Sequence, residues 1–242
     1  MSAIRQGILE VARRTGLEPQ LRAAQRTIGP REVRRNMRDD EAFRRLLALS
    51  LPSDAACVDV GANLGELLAH MVRYAPSGRH VAFEPLPELA ARLRTRFPGV
   101  DVRQAAVGAE RETRAFTRVR GIETRSGFEV GGYPPEQLEQ LEVEVQTLDG
   151  DLPEGFVPAL IKIDVEGAEL EVLRGGAGTL TAHTPTVAFE HDNRADSAAI
   201  YDLLAVDVGL RIFDFDGDGP LTAADFQRKV ERRSHWNFVA HR

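Results

Sequence analysis

The chain has 242 residues, 43% of them apolar and 28% charged, with a formal net charge of −6 and a single cysteine, Cys57. That length can bury a core without staples, one thiol excludes an intrachain disulfide or an all-cysteine zinc site, and the negative balance argues against general nucleic-acid binding. No run approaches eighteen apolar residues and the N-terminus lacks a signal peptide's apolar stretch, so a soluble cytoplasmic protein with no membrane partner is expected.

Charge is uneven along the chain. Residues 1–45 hold eleven arginines against six acids. Ile4, Ile8, Val11, Leu17 and Leu21 recur there at roughly helical spacing, so residues 1–50 read as a helical cap before the main domain, 51–242. A solvated cap is the plain reading. A homodimer contact through these helices, or a basic lid over an anionic substrate, are the sharper ones.

A helix over 40–49 leads to Pro52 and an apolar strand at 56–60. Then come a helix at 64–74, a strand at 80–84, a helix at 87–97 and a strand at 100–105. This alternation predicts an α/β fold: a mostly parallel sheet with helices on both faces. Residues 108–140, polar and carrying Gly131-Gly132 and Pro134-Pro135, interrupt the rhythm and read as an inserted substrate region. A strand at 141–148 follows, and alternation resumes with a strand at 159–163, a helix after Gly167 and a strand at 186–189. A helix at 197–206 and strands at 210–215 and 236–240 complete the prediction.

Chemistry is expected at the strand tips. The first strand runs into VDVGANLGE, residues 58–66, where Gly61 and Gly65 permit a sharp turn and a close backbone approach. A dinucleotide fingerprint requires glycine where Asn63 and Glu66 stand, and Asp59 and Glu66 would repel a pyrophosphate. S-adenosyl-L-methionine carries no phosphate and has a cationic sulfonium and ammonium, so acids beside the loop favour it over a nicotinamide dinucleotide. Glu84, closing the second strand, is placed to accept the ribose hydroxyls. Gln104 and Ala105, after the third, could border an adenine.

In IKIDVEGAELEVLRGG, residues 161–176, Asp164 falls at a strand tip and Gly167 at the start of a helix. Glu169 and Glu171 read as a solvated helix face. In AFEH, residues 188–191, Glu190 and His191 end the next strand beside the same place. A hydroxyl nucleophile gains from a base there, and Asp164, Glu190 and His191 are the candidates, with His191 preferred because imidazole titrates near working pH. DFDGDGPLTAAD, residues 214–225, has acids at calcium-loop spacing. Asp225 in place of glutamate, Pro220, and a strand rather than a helix before the loop make a hairpin turn the better reading. No GxSxG, HExxH or CxxC pattern occurs, and no metal-ligand set is read.

VDVGANLG, AFEPLP (82–87) and IKIDVEGAELEVLRGG, in this order, resemble the FkbM family of S-adenosylmethionine-dependent methyltransferases over roughly residues 55–240. The resemblance implies a seven-strand, Rossmann-like class I methyltransferase sheet and O-methylation of hydroxyls on sugars or secondary metabolites. It also implies cofactor contacts from Asp59, Gly61, Asn63, Gly65, Glu84 and Pro85, with Asp164 near the sulfonium. Residues 109–140 match nothing in that pattern. A non-catalytic binding protein of the same fold and a nucleotide-linked oxidoreductase are the rival expectations.

Overall fold

The structure, a computed structural model, describes residues 31–242. The apolar spacing read over residues 4–21 therefore lies outside the described residues. Helix α1 (Arg31–Ser50) precedes strand β1 (Ala56–Val60), helix α2 (Glu66–Tyr74), strand β2 (His80–Phe83), helix α3 (Pro87–Arg96) and strand β3 (Asp101–Arg103). Strands β4 (Ala106–Val107), β5 (Glu112–Val119) and β6 (Leu138–Gln146) follow, then the short helix α4 (Leu148–Asp151). Strand β7 (Pro158–Ile163), helices α5 (Glu169–Arg174) and α6 (Ala177–His183) and strand β8 (Thr186–Glu190) come next. Helix α7 (Ser197–Tyr201), strand β9 (Arg211–Asp214), helix α8 (Ala223–Glu231) and strand β10 (Asn237–His241) close the chain.

Seven strands form one sheet in the order β3-β2-β1-β7-β8-β10-β9. The pairs from β3 through β8 are parallel, while β10 runs antiparallel to both β8 and β9. Strands covered on both faces must be largely apolar on both, and β1 is, Asp59 apart. Val58 and Val60 join Ile161, Ile163, Val187 and Phe189 in a core beneath α5–α8, whereas Cys57 joins Leu160 and Ala188 in a core beneath α1–α3. Phe43 and Leu47 bring α1 into that second core at 2% and 1% exposure.

The third strand ends earlier than its sequence suggested, at Arg103. The chain leaves the sheet edge at Gln104, and Ala106–Val107 pair instead with Val145 and Gln146 of β6. The polar stretch 108–140 contains a full strand: β5 pairs antiparallel with β6 from Glu112↔Val145 to Val119↔Leu138. Its charges hide it from periodicity, because Arg114 and Arg118 find acids on the helices beneath the arm, Glu171 of α5 at 2.8 Å and Glu88 of α3 at 3.1 Å. Beneath this three-stranded arm Leu86, Leu89, Phe116, Val143 and Val145 form a small core of their own. Helices α6 and α8 went unread. Past Tyr201 the predicted helix 197–206 widens into a π-helical segment, Asp202–Asp207.

Candidate active site

The tips of β1, β2, β7 and β8 converge at one end of the sheet. Gly61 (φ 76°) is where β1 meets β7, and a Cβ there would lie 1.9 Å from the Asp164 carbonyl oxygen. The bare backbone is thus demanded by the neighbouring strand, before any ligand is considered. Gly65 (φ 74°) starts α2, and a Cβ would fall 2.6 Å from Phe97 and 2.7 Å from Leu93. Between them Asn63 takes φ 50° and its N–H donates to Glu84 Oε2 at 2.8 Å. Leu86 N–H donates to Glu84 Oε1 at 2.9 Å. Glu84 is 4% exposed, so it brackets the glycine loop to the start of α3. Burial pushes its carboxyl up to about 7 against the pull of those two backbone donors. Pro85 is half-buried beside it. Ala105 is buried and Gln104 exposed, both just past the tip of β3.

Asp59 does not reach the cleft directly. Its side chain is buried on the α1–α3 face, and Lys162 Nζ stands 3.1 Å from Oδ1, off the axis of a well-formed hydrogen bond. The same ammonium donates to Gly61 O at 2.8 Å and lies 3.6 Å from Asp164 Oδ2. Asp164, with its side chain 38% exposed, is the member of this group that faces outward. Burial raises the Asp59 pKa although Lys162 opposes it.

After Asp164 the chain turns through Glu166 (φ 50°) and Gly167 (φ 98°) into α5. Arg125, carried by the arm between β5 and β6, pairs with Glu166 at 3.1 Å. Burial pushes the Glu166 carboxyl up to about 7, and Arg125 holds it down in part. Glu190, at the tip of β8, is raised well above an ordinary glutamate, first by burial and then by Asp164, Glu166 and Glu169. A narrow cleft of about 40 Å³ runs between α1 and these tips, with Asp39, Phe43, Lys162, Asp164, Glu190 and Phe215 on its walls.

Two expectations are overturned here. His191 is 1% exposed, its Nε2 is 3.0 Å from Ser197 Oγ and its ring stacks on Phe226 at 5.8 Å. Alternation along β8 sends Glu190 to one face and His191 into the core on the other, so the imidazole cannot meet an acceptor. Glu169, read as solvated, is 3% exposed, with Oε1 accepting from Gly167 N–H at 3.1 Å and Oε2 lying 3.9 Å from His191 Nδ1. Glu171 does sit at the surface, paired with Arg114. Sequence reasoning missed Lys162, Arg125 and Asp39. A signal for the first existed: Lys162 and Lys229 are the only lysines among 31 basic residues, and one of them sits between two isoleucines of a buried strand.

The acidic segment 214–225 runs from the last residue of β9 through a turn into the first turn of α8. Asp214 accepts from Lys229 at 2.7 Å and lies 3.1 Å from His235, while Asp216 pairs with Arg35 at 2.9 Å and Asp218 with Lys229 at 3.1 Å. These carboxylates are balanced by protein cations, and the segment ties α1, α8 and the approach to β10 together.

The Methyltransferase FkbM domain family matches residues 59–214, well over half of the chain. The chain belongs to that family. Methyltransferase 1 of Beauveria bassiana is 29% identical over 147 residues, covering 51% of this chain and 59% of the relative. Methyltransferase sdnD of Sordaria araneosa is 30% identical over 166 residues, covering 52% and 62%. The 2-O-methyltransferase NoeI of Sinorhizobium fredii is 26% identical over 158 residues, covering 58% and 65%. The matches thus span about three fifths of these relatives. A solved FkbM methyltransferase from Methylobacillus flagellatus superposes with a TM-score of 0.51 at 18% identity, over 78% of this chain and 44% of that one, and shares its fold. The donor set suits S-adenosyl-L-methionine, the cofactor that the sequence resemblance implies. The loop and tips offer carboxylates, and the one ammonium among them, Lys162, is already engaged.

Proposed function

We propose that the chain is an S-adenosyl-L-methionine-dependent methyltransferase acting on a hydroxyl oxygen of a small molecule, a sugar or a secondary metabolite. The observation that carries this reading is the pairing of two acids at adjacent tips in one cleft: Asp164, open to it, and Glu190, held well above an ordinary glutamate beside it. When bound, S-adenosyl-L-methionine supplies a methyl group on a cationic sulfur.

The chain's own residues divide the remaining work. Glu84, with both oxygens already directed by backbone donors, keeps lone pairs for the ribose hydroxyls, and Gln104 with Ala105 borders the base. Gly61, Asn63, Gly65 and Pro85 shape the loop that approaches the cofactor, with Asp59 supporting it through Lys162. Asp164 favours positive charge. Burial and its acidic neighbours make Glu190 a stronger base than an ordinary glutamate, and it takes the proton that the acceptor hydroxyl loses as its oxygen is methylated. Alignment of the acceptor and exclusion of water supply much of the acceleration. The arm, which sets Arg125 over the acids, is assigned to the choice of acceptor.

The test has two arms. Calorimetry should show S-adenosylmethionine binding and no NAD binding. Incubation with methyl-labelled donor and a panel of hydroxylated sugars and polyketides should transfer label to oxygen. Cofactor binding without transfer to any acceptor class would favour a non-catalytic binding protein, and NAD binding alone would return the oxidoreductase reading.

A further inference from the structure

Lys162 is a charged residue one position before the end of the central strand β7, and its side chain is 7% exposed. Its neighbours Ile161 and Ile163 are both at 0%, and a buried ion pair replaced by well-packed apolar side chains is often no less stable. Packing alone therefore gives no reason for an ammonium here. Its contacts do. Nζ donates to Gly61 O at 2.8 Å, with Val60 O at 3.4 Å, and stands between Asp59 at 3.1 Å and Asp164 at 3.6 Å.

We propose that Lys162 is a positioning residue for the methyl-transfer site: its ammonium ties the glycine-loop carbonyls to Asp164 and holds that acid where a cationic cofactor meets it. The inference rests on the methyltransferase reading above. Two carboxylates share one ammonium, so the group carries one net negative charge. Asp59 is sealed inside, and neither of its oxygens has a hydrogen-bond partner. Asp59, at 3.1 Å, is the nearer partner of the ammonium, whereas Asp164, farther at 3.6 Å, is the acid open to the cleft, where a sulfonium or ammonium gains from its charge. Burial pulls the Lys162 pKa down, but Asp59 and Asp164 together pull harder and leave it raised, so the ammonium persists across the working range. Asp59 thus acts as the internal counter-charge that lets the lysine sit in the sheet.

A structural role and a positioning role separate in two variants. Lys162→Met strands the Asp59 carboxylate and should lower Tm as well as weaken S-adenosylmethionine binding tenfold or more. Adding Asp59→Asn removes the stranded charge. The double variant should recover most of the lost Tm while its Kd stays at least tenfold above that of the native chain, because the loop carbonyls and Asp164 are still untethered. Asp164→Asn added to the double variant should then cost little further affinity, although in the native background it costs tenfold. Recovery of both Tm and native Kd in the double variant would overturn the proposal, leaving Lys162 a structural residue. If the methionine variants fail to fold by circular dichroism, Asp164→Asn alone decides: unchanged Kd at unchanged Tm overturns it. Failure of the native chain to bind S-adenosylmethionine would instead remove the methyltransferase reading, and this inference with it.

Discussion

Glu84, buried, and Glu190, half-buried, are carboxyls whose protonation the surrounding atoms set in one direction and ligands can reverse. Glu84 has a folded-state pKa of about 7 against an ordinary 4.5. The folded chain then holds more protons than the unfolded chain between these values. Ligand-free stability should accordingly fall as pH rises from about 4.5 to about 7, by at most on the order of 3 kcal/mol. Ribose hydroxyls donate to the anion, so cofactor binding near neutral pH should release a fraction of a proton. Calorimetry in two buffers of different ionisation enthalpy reads this directly, and equal apparent enthalpies would contradict the ribose assignment. Glu84→Ala should weaken binding by roughly 1 to 3 kcal/mol. For Glu190, raised by burial and three acidic neighbours, turnover should rise with pH through a midpoint clearly above an ordinary glutamate's. Glu190→Gln should lower kcat about a hundredfold with little change in cofactor Kd. His191→Ala, by contrast, should cost stability and leave the shape of the pH profile intact, since the ring packs against Phe226 inside the core.

At the scale of elements, the contact between the tips of β1 and β7 and the arm bear on different steps. A side chain at Gly61 would collide with the Asp164 carbonyl, 1.9 Å from the new Cβ, and force a left-handed residue besides. Gly61→Ala should therefore lower Tm as well as cofactor affinity. A variant that kept its Tm and lost only binding would show that the glycine serves the ligand alone. The arm is held to the body by Arg114 to Glu171, by Arg118 to Glu88 and by its own small core, while the connection 120–137 brings Arg125 to Glu166. Val119 and Leu138 are cross-strand partners, so a two-residue Asn-Gly turn can replace residues 120–137 without moving either strand. That replacement should leave cofactor Kd within about threefold and abolish or redirect acceptor turnover. Loss of cofactor binding would instead place the connection in the cofactor site.

For the molecule as a whole, α1 joins the sheet through apolar contacts and through charges. Arg35 reaches Asp39 at 3.1 Å and Asp216 at 2.9 Å, and Asn237 donates to Asp39 at 2.9 Å. This network occupies the acidic segment that resembles a calcium loop. Millimolar calcium should then leave Tm unchanged, while Asp214→Asn, which removes the buried carboxylate shared by Lys229 and His235, should lower it by several degrees. A calcium-dependent rise in Tm would contradict this account. Among the described residues no helix is long and apolar enough to cross a membrane.

Much of the architecture was legible in advance because its signals are local. Runs such as Ala56–Val60 and Pro158–Ile163 are apolar but for Asp59 and Lys162, the glycine loop and Glu84 follow their strands at short range, and Asp164 stands where an apolar run stops. Those features depend on near neighbours along the chain, so a mostly parallel sheet with covering helices and the acids at its tips could be read from residue types alone. The face on which each tip residue lands could not. Glu190 and His191 are adjacent, and only the pleat of β8 against β7 and β10 decides that the acid meets the cleft and the imidazole the core. Glu169 looked solvated because helical spacing says nothing of what covers a turn, and β5 looked like a loop because its arginines are neutralised by acids distant in sequence. Lys162 shows the division most plainly. Its presence in a strand was visible, but its role depends on Asp59, Gly61 and Asp164 converging on one ammonium, a meeting of β1 and β7 across about a hundred residues that only the tertiary structure brings about.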